Sequence, residues 1–576
     1  MIRSILKRLI RRVAIRFGFK SQKGWSDYYN NAPDKIRYDS GSMVDALLLS
    51  ATLYPDNIAL EYYDKRITYL ELISRIKACA KALKKQGIKE NDRVAICMPN
   101  TPESIVAFYA INMVGAVANM IHPLSSENEI EFYLNKAHSK MIIVIDICYL
   151  KLMNIVRNTE VEKIVVASAT KSMNFFIKII YWIIKGRKIK IDRKSDSILT
   201  WSRFIYLGTE YNDDFYTKRN AQDLAVILYS GGTTGKPKGI MLSNLNFNAG
   251  ALQGRYMSSA VNPESVILTI LPNFHSFGLG VSIHTPLYNG MKLVVVPKFD
   301  IKAMAKIIKK YQPNIIVGVP SLYSALIKMK FGRYDLKCIN VAICGGDTIA
   351  LDLKRKVNNF LKEHGSKTDL RVGYGLTECT GACCLSPEGL ENLKDVIGIP
   401  FPDNEIKIVE IGTCQEVANN TDGEICLSSP NVMLGYLDEK KETKDVIKKH
   451  EDGKLWLHTG DIGYIDIDGF LYFRSRLKRM FITSGYNIYP QYIEEILLNN
   501  KYVSAVAVVG IPHPYKGQVG KAYIVLKDNQ VKVKLAKKSI QKHLKLNLAD
   551  YAIPSEIVYV DCLPMTLVGK ISYKDL

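Results

Sequence analysis

The 576-residue chain has no run of about 18 uncharged apolar residues, so a membrane-spanning helix is not expected. It also lacks the pattern of a secretory leader: Arg and Lys recur through Met1–Lys20, and no uninterrupted apolar stretch follows them. Its eleven cysteines have no paired spacing. Even the tightest group, Cys379, Cys383 and Cys384, misses the CxxC step of zinc and redox sites. Buried free thiols in a reducing, cytoplasmic setting are expected instead of a disulfide or metal framework. Acidic residues are scarce: 56 Asp and Glu face 78 Lys and Arg, a formal charge of +22 and a pI near 9.3. That excess suits an anionic partner, whether phosphate ester, acidic lipid or nucleic acid. No nucleic-acid module or aromatic stacking platform accompanies it, so nucleic acid is not an expected partner. Internal repeats and low-complexity tracts are absent too.

What is present reads as globular. Hydrophobic residues make up 47% and charged residues 23%, close to ordinary averages. The length exceeds what one core can serve, so several subdomains with clefts between them are expected. Two segments bear on membranes. Ile2, Ile5, Leu6, Leu9, Val13 and Phe17 share one helical face, with Arg3, Lys7, Arg11 and Arg12 mostly off it. Such a helix suits an anionic bilayer surface, or docks on its own domain, or frays as a basic tail. Asn174–Lys194 holds an apolar run from Phe175 to Ile184, broken by Lys178 and too short to span. It reads as an interfacial segment or as a buried helix followed by a charged loop.

From about Ser42 the pattern becomes α/β. Thr68 with Glu71 predicts a capped helix running to Lys85, and Asp92–Cys97 a strand before Pro99. Apolar runs at Ala225–Tyr229, Leu293–Pro297, Ile315–Val319 and Asn340–Cys344 alternate with helical stretches such as Ile301–Tyr311 and Ser321–Lys330. That predicts a largely parallel sheet with helices on its faces. Ligands bind beyond the carboxyl ends of such strands. Ser230 with its glycines, Gly318–Ser321, Gly345 to Asp347 and Gly373–Glu378 all follow strand ends, so a single site on one sheet edge is expected.

The most distinctive string is YSGGTTGKPKG, Tyr229–Gly239. Gly231, Gly232 and Gly235 let backbone N–H groups approach phosphate oxygens; Ser230, Thr233 and Thr234 add hydroxyl donors and Lys238 a cation. It is not a Walker A loop, because Lys236 is followed by Pro237 instead of Ser or Thr entering a helix. Glu378 is a carboxylate where phosphate would arrive, which suits a Mg²⁺ ligand better than an unpaired anion; capping a helix N-terminus is the other reading. Asp461 is a short carboxylate able to accept from two vicinal hydroxyls, or a solvated turn residue. After it, IDIDGFLYF predicts a hairpin turning at Asp468 and Gly469.

SGGTTGKPKG, YGLTE at Tyr374–Glu378, TGD at Thr459–Asp461, RLK at Arg476–Lys478 and GK at Gly569–Lys570 together resemble the adenylate-forming superfamily of acyl-CoA synthetases, luciferases and nonribosomal adenylation domains. The likeness runs from about Asp45 onward and is strongest to long-chain fatty acid:CoA ligases. It implies an α/β fold: a large N-terminal domain of mixed and parallel sheets with flanking helices, 42–475, after a basic segment 1–41, and a small mobile α+β domain, 476–576, turning about a hinge at Lys478. It implies ATP, Mg²⁺ and CoA as cofactors and co-substrate, and a fatty acid as substrate. An aryl carboxylate, or a carrier protein as acceptor, are the alternatives.

By the same likeness, Lys570 bridges the incoming carboxylate and the α-phosphate, Ser230 and Glu378 hold Mg²⁺, and Asp461 and Arg476 hold the ribose. Gly345, Gly373, Tyr374 and Thr377 line the nucleotide site, and Gly485 and Tyr486 belong to a CoA-facing loop. His275, Phe277 and Gly346 face the acid, although His275 in LPNFHSFGLG also reads as a core histidine. Two departures from the family pattern sit at the hinge: Ser475 where glycine is usual, and Arg479 where an acid is common.

Overall fold

The computed structural model describes residues 25–33, 35–168, 196–230, 237–390, 396–483, 486–527, 533–566 and 571–576. The two membrane-related segments therefore lie outside the described residues. Among the described residues no helix is long and apolar enough to cross a membrane.

One sheet has eight strands. Leu224–Ser230, Val117–Met120, Arg93–Cys97, Ser139–Ile145, Lys163–Ala167 and Ile198–Thr200 run parallel in that spatial order, and Lys238–Ser243 and Gly435–Tyr436 close one end antiparallel. The parallel strands are apolar runs buried along nearly their whole length, as expected of a sheet covered on both faces. Helix Tyr69–Lys85 covers part of one, opened by Thr68 accepting from the Glu71 amide; helix Pro102–Met113 is buried throughout. A second sheet carries Ile58–Tyr62, Lys292–Val295, Val266–Thr269, Ile315–Gly318, Val341–Cys344 and Leu370–Tyr374 in parallel. It then turns antiparallel through Cys384–Leu385, Val396–Pro400, Leu471–Arg476, Leu455–Ile465, Gly423–Ser428 and Glu405–Val409.

This corrects the expectation of a single sheet edge. Leu224–Ser230 belongs to the first sheet, whereas the strands ending at Gly318, Cys344 and Tyr374 belong to the second. An alternating pattern identifies parallel strands but carries no information on which sheet receives each. The strand ends therefore meet across a cleft between two sheets.

The hairpin at Ile465–Leu471 forms as expected, with Gly469 at φ +86° and the Asp466 carboxylate accepting from the amides of Asp468 and Phe470, both at 2.9 Å. A five-stranded sheet built from Phe481–Thr483, Tyr486–Ile488, Val503–His513, Gly517–Leu526 and Glu556–Tyr559 has its own core, in which Ile493 and Leu497 of helix Pro490–Leu498 and Ile540 and Leu544 of helix Val533–Asn547 pack on Val508 and Ile524. All eleven cysteines are free thiols.

Candidate active site

At one end of the candidate site, Ser230 pairs with Lys238 and Tyr229 with Gly239, so the two stems of the glycine loop are neighbouring antiparallel strands. Gly231, Gly232, Thr233, Thr234 and Gly235 lie outside the described residues. Lys238 stands with its ammonium 4.6 Å above the centre of the Tyr436 ring. The Tyr436 hydroxyl donates to Glu378 Oε1 at 3.0 Å, and the Met433 amide donates to the Glu378 carbonyl at 2.8 Å. Glu378 sits in the short 3₁₀ turn Thr377–Cys379, which ends on Thr380 at φ +61°, locked by its hydroxyl donating to Asn431 O at 2.9 Å. Among the described residues no lysine or arginine pairs with Glu378. A half-buried carboxylate with no ion-pair partner fits Mg²⁺, which keeps most of its octahedral shell as water and phosphate oxygen and takes one or two protein carboxylates.

At the other end, Asp461 is 1% exposed. Strand pairing sets it opposite Arg476, whose Nε lies 3.2 Å from Asp461 Oδ1, and the Tyr374 hydroxyl donates to Oδ2 at 2.8 Å. The Arg476 approach is poorly aligned, so Oδ1 accepts no hydrogen bond among the described residues although it is buried. Burial raises the Asp461 carboxyl above its ordinary value, opposed by the Arg476 guanidinium and the Tyr374 hydroxyl; Asp461 in turn raises Arg476. A buried acceptor without a donor is what a ribose hydroxyl would complete. The carboxylate is aimed by its own chain: Gly460 takes φ +69°, its amide donates to Glu424 Oε1 at 3.0 Å, and the Asp461 amide donates to Thr459 Oγ1 at 3.1 Å.

Between these ends lies bare backbone. Gly346 has φ +78°, and a side chain on Gly345 would meet the Phe277 ring and the Gly373 carbonyl, each at 3.1 Å. Phe277 starts a π-helical stretch, Phe277–His284, that sequence reading does not anticipate. Gly278 and Gly280 permit it, since a Cβ on either would fall within 2.7 Å of the carbonyl oxygens of Pro272 and Thr380. Gly280 and Val281 of that stretch line a cavity of about 70 Å³ together with Phe247, Gly254, Met257 and Ile343, and among the described residues no charged side chain contributes to its wall. His275 is half-buried and does not line it; its Nδ1 accepts from the Phe277 amide at 3.3 Å. Lys478 is exposed in the 3₁₀ turn Leu477–Arg479, while Arg479 reaches Glu494 Oε1 at 2.5 Å and stacks 3.7 Å over the Tyr573 ring. Lys570 and Gly485 lie outside the described residues, and Tyr486 is described by its backbone alone. Tyr436 was missed by sequence reasoning, because no local motif marks a tyrosine whose partner lies 58 positions away.

Residues 49–437 match the family of AMP-binding enzymes, and residues 492–570 its C-terminal domain. A long-chain-fatty-acid–CoA ligase of Bacillus subtilis is 31% identical over 558 residues, covering 96% of this chain and 97% of the relative. Among solved structures, MatB of Rhodopseudomonas palustris with ATP bound superposes with a TM-score of 0.80 at 23% identity, covering 93% of this chain and 98% of that one, a likeness of fold. An o-succinylbenzoate–CoA synthetase of Bacillus subtilis, solved with its acyl-adenylate, superposes with a TM-score of 0.73 at 25% identity, covering 93% and 97%. The chain is a member of the AMP-binding enzyme family, an adenylate-forming acyl-CoA ligase that uses ATP, Mg²⁺ and CoA.

Proposed function

We propose that the acid activated is a fatty acid: with MgATP it gives acyl-AMP and pyrophosphate, and the CoA thiol then attacks the acyl carbon as AMP leaves. The observation that carries this reading is the wall of the cavity beside Gly280, which among the described residues is apolar apart from a few hydroxyls and carries no charge. A dicarboxylate or an amino acid would bury an unpaired charge there, at several kcal/mol per ion. The cavity, about 70 Å³, is small for a long acyl tail. A long tail therefore enters as flexible lining side chains such as Met257 and Met291 swing aside. The 31% identity to the Bacillus subtilis long-chain ligase supports the same class.

The residues divide the work as follows. Asp461 and Arg476 hold the ribose, Glu378 with Ser230 holds Mg²⁺, and Tyr436 fixes the Glu378 carboxylate. The loop stems at Ser230 and Lys238 bracket the phosphates, and Lys570 neutralises charge as pyrophosphate leaves. No general base is required, because the attacking carboxylate is already ionised at neutral pH. The division into 42–475 and 476–576 places the pivot at Lys478, and the basic segment 1–41 with Asn174–Lys194 holds the enzyme against the cytoplasmic membrane face, where its substrate partitions.

The test is acid-dependent ATP–pyrophosphate exchange followed by thioester formation, across saturated acids from acetate to stearate with benzoate as the aryl comparison. Rates rise with chain length if the reading holds; a preference for acetate or benzoate refutes it. A carrier protein replacing CoA as the better acceptor would refute the second half-reaction. Lys570→Ala abolishes adenylate formation while sparing thioester formation from supplied acyl-AMP, and equal loss of both overturns its role. Liposome co-sedimentation of the full chain against one beginning at Ser42 decides membrane contact; equal sedimentation removes it.

A further inference from the structure

Behind Asp461, on the antiparallel end of the second sheet, lies a group of side chains for which the adenylation chemistry has no use. Glu424 and Cys426 alternate along strand Gly423–Ser428 and so share one face. Strand pairing sets Cys426 opposite His458 of Leu455–Ile465. His450 follows the short strand Ile447–Lys449, which pairs on the far side of Leu455–Ile465. The turn after Glu405–Val409 brings Cys414 over the group. Ligand atoms of Cys414, His450 and His458 all lie within 4.8 Å of one another, as do those of Glu424, Cys426 and His458.

We propose that these side chains form a second metal site, in which Cys414, His450 and His458, with Cys426 beside them, bind one zinc-class divalent cation. Three features of the chemistry agree. The donor set, thiolate sulfur with imidazole nitrogen, is what zinc selects and what Mg²⁺ and Ca²⁺ avoid. The imidazoles converge: His450 Nε2 and His458 Nε2 stand 2.9 Å apart. A tetrahedral zinc with bonds of about 2.0–2.3 Å spaces its ligand atoms about 3.3–3.8 Å apart, so metal entry needs shifts of about an ångström. Finally, His458 Nδ1 lies 2.8 Å from Glu424 Oε2, the carboxylate–histidine arrangement that holds a metal-binding imidazole in its proper tautomer.

Without a metal the group is left incomplete. Once His458 Nδ1–H donates to Glu424, its Nε2 accepts from His450 Nε2–H, and His450 Nδ1 then has no partner among the described residues although the residue is 5% exposed. Lys407 is turned away, 4.1 Å over the Trp456 ring and 3.3 Å from Asp452. Cys414 is half-buried and gives the group an opening to solvent. Glu424 holds His458 with one oxygen and the Gly460 amide, next to Asp461, with the other, so a single carboxylate separates this site from the ribose position.

The probe is Co²⁺ titrated into the metal-stripped full-length protein, because thiolate-to-cobalt charge-transfer absorption reports cysteine ligation and is not produced at a carboxylate–phosphate site. We expect one equivalent to develop that absorption and one equivalent of Zn²⁺ to abolish it. C414S and H450Q lose the absorption, and C562S, which changes an exposed cysteine elsewhere, keeps it. Wild-type protein supplies an independent measurement: Zn²⁺ slows alkylation of Cys414 by iodoacetamide at least tenfold and leaves Cys562 unaffected. Absence of the charge-transfer band at one equivalent, a band unchanged in C414S and H450Q, or alkylation of Cys414 indifferent to Zn²⁺ would each overturn the site.

Discussion

Replacing Asp461 with Asn separates its proposed ribose-binding role from its structural one. The carboxylate is buried, its pKa is raised by that burial, and Arg476 and Tyr374 compensate it only in part. A carboxyl whose folded pKa lies above its unfolded value costs stability once ionised, a cost that sets in as pH rises from the unfolded value through the folded one. An amide, which does not ionise, removes that cost. Asn also keeps an acceptor for the Tyr374 hydroxyl, and Arg476, half-exposed, stays solvated. Thermal unfolding should therefore show a midpoint no lower than wild type. ATP use should move the other way. A hydrogen bond to a charged group contributes about 1.5–3 kcal/mol, and two ribose hydroxyls on one carboxylate set an upper bound of about 3–6 kcal/mol. With an amide oxygen retaining part of this, kcat/KM for ATP should fall by about 10²–10³-fold, mostly in KM. ATP–pyrophosphate exchange at varied ATP measures it. A folded variant with unchanged KM for ATP would remove Asp461 from the nucleotide site, whereas a large drop in melting temperature would show the carboxylate to be a structural anchor.

Tyr436→Phe deletes the donor to Glu378, so the exchange rate should fall by about tenfold or more, since a hydrogen bond to a carboxylate contributes about 1.5–3 kcal/mol, and half-maximal Mg²⁺ should rise; an unchanged Mg²⁺ dependence would contradict the role. Gly254→Val adds bulk where a Cβ already stands 3.4 Å from Thr285 Cγ2 on the cavity wall, and overpacking costs about 1–3 kcal/mol, so the ratio of kcat/KM for palmitate over octanoate should fall by about tenfold. An unaltered ratio places the tail elsewhere. His284 is 1% exposed, held between the Tyr109 hydroxyl and Asn248 Oδ1, each at 3.0 Å, and burial pushes its pKa down to about 3. Its neutral form is the folded form, so stability is complete above its ordinary value near 6.5 and declines as pH falls toward 3, by about 1.4 kcal/mol per unit. Urea unfolding of wild type and His284→Gln at pH 7, 5.5 and 4.5 should show a steeper loss in the wild type; parallel losses would refute it.

What the sequence made legible was local. Helix Ile301–Tyr311 has the expected bounds because its apolar periodicity, the Asp300 cap and the left-handed Gln312 at its end all lie within one stretch of chain. The helix expected at Ser321–Lys330 runs only over Pro320–Leu326, with Lys328 and Lys330 beyond its last turn. Glu378, Asp461, Arg476 and Lys238 could be nominated as candidate site residues because each sits in a short string of fixed order. Their partners were not. Tyr374 and Asp461 lie 87 positions apart, Tyr436 and Glu378 lie 58 apart, and strand pairing alone brings them together. His275 shows the converse, a residue prominent in its local string that does not line the apolar cavity.

The two ends of the proposed nucleotide site are carried by different sheets. Tyr374, Asp461 and Arg476 all stand on strands of the second sheet, so the proposed ribose position is held within one hydrogen-bonded ladder. Tyr436 and Lys238 stand on the antiparallel end of the first. Glu378 belongs to the turn that leaves the second sheet, yet its carboxylate and its carbonyl are both held from the first sheet's side, by Tyr436 and by the Met433 amide. The span from the proposed ribose position to the proposed triphosphate position thus depends on one 3₁₀ turn, and Thr380, at positive φ and bonded to Asn431, sets where that turn points. Because the cost of holding Thr380 in a left-handed conformation is about 1–2 kcal/mol, and its hydroxyl bond to Asn431 offsets it, the intersheet contact and the reach of Glu378 are parts of one arrangement.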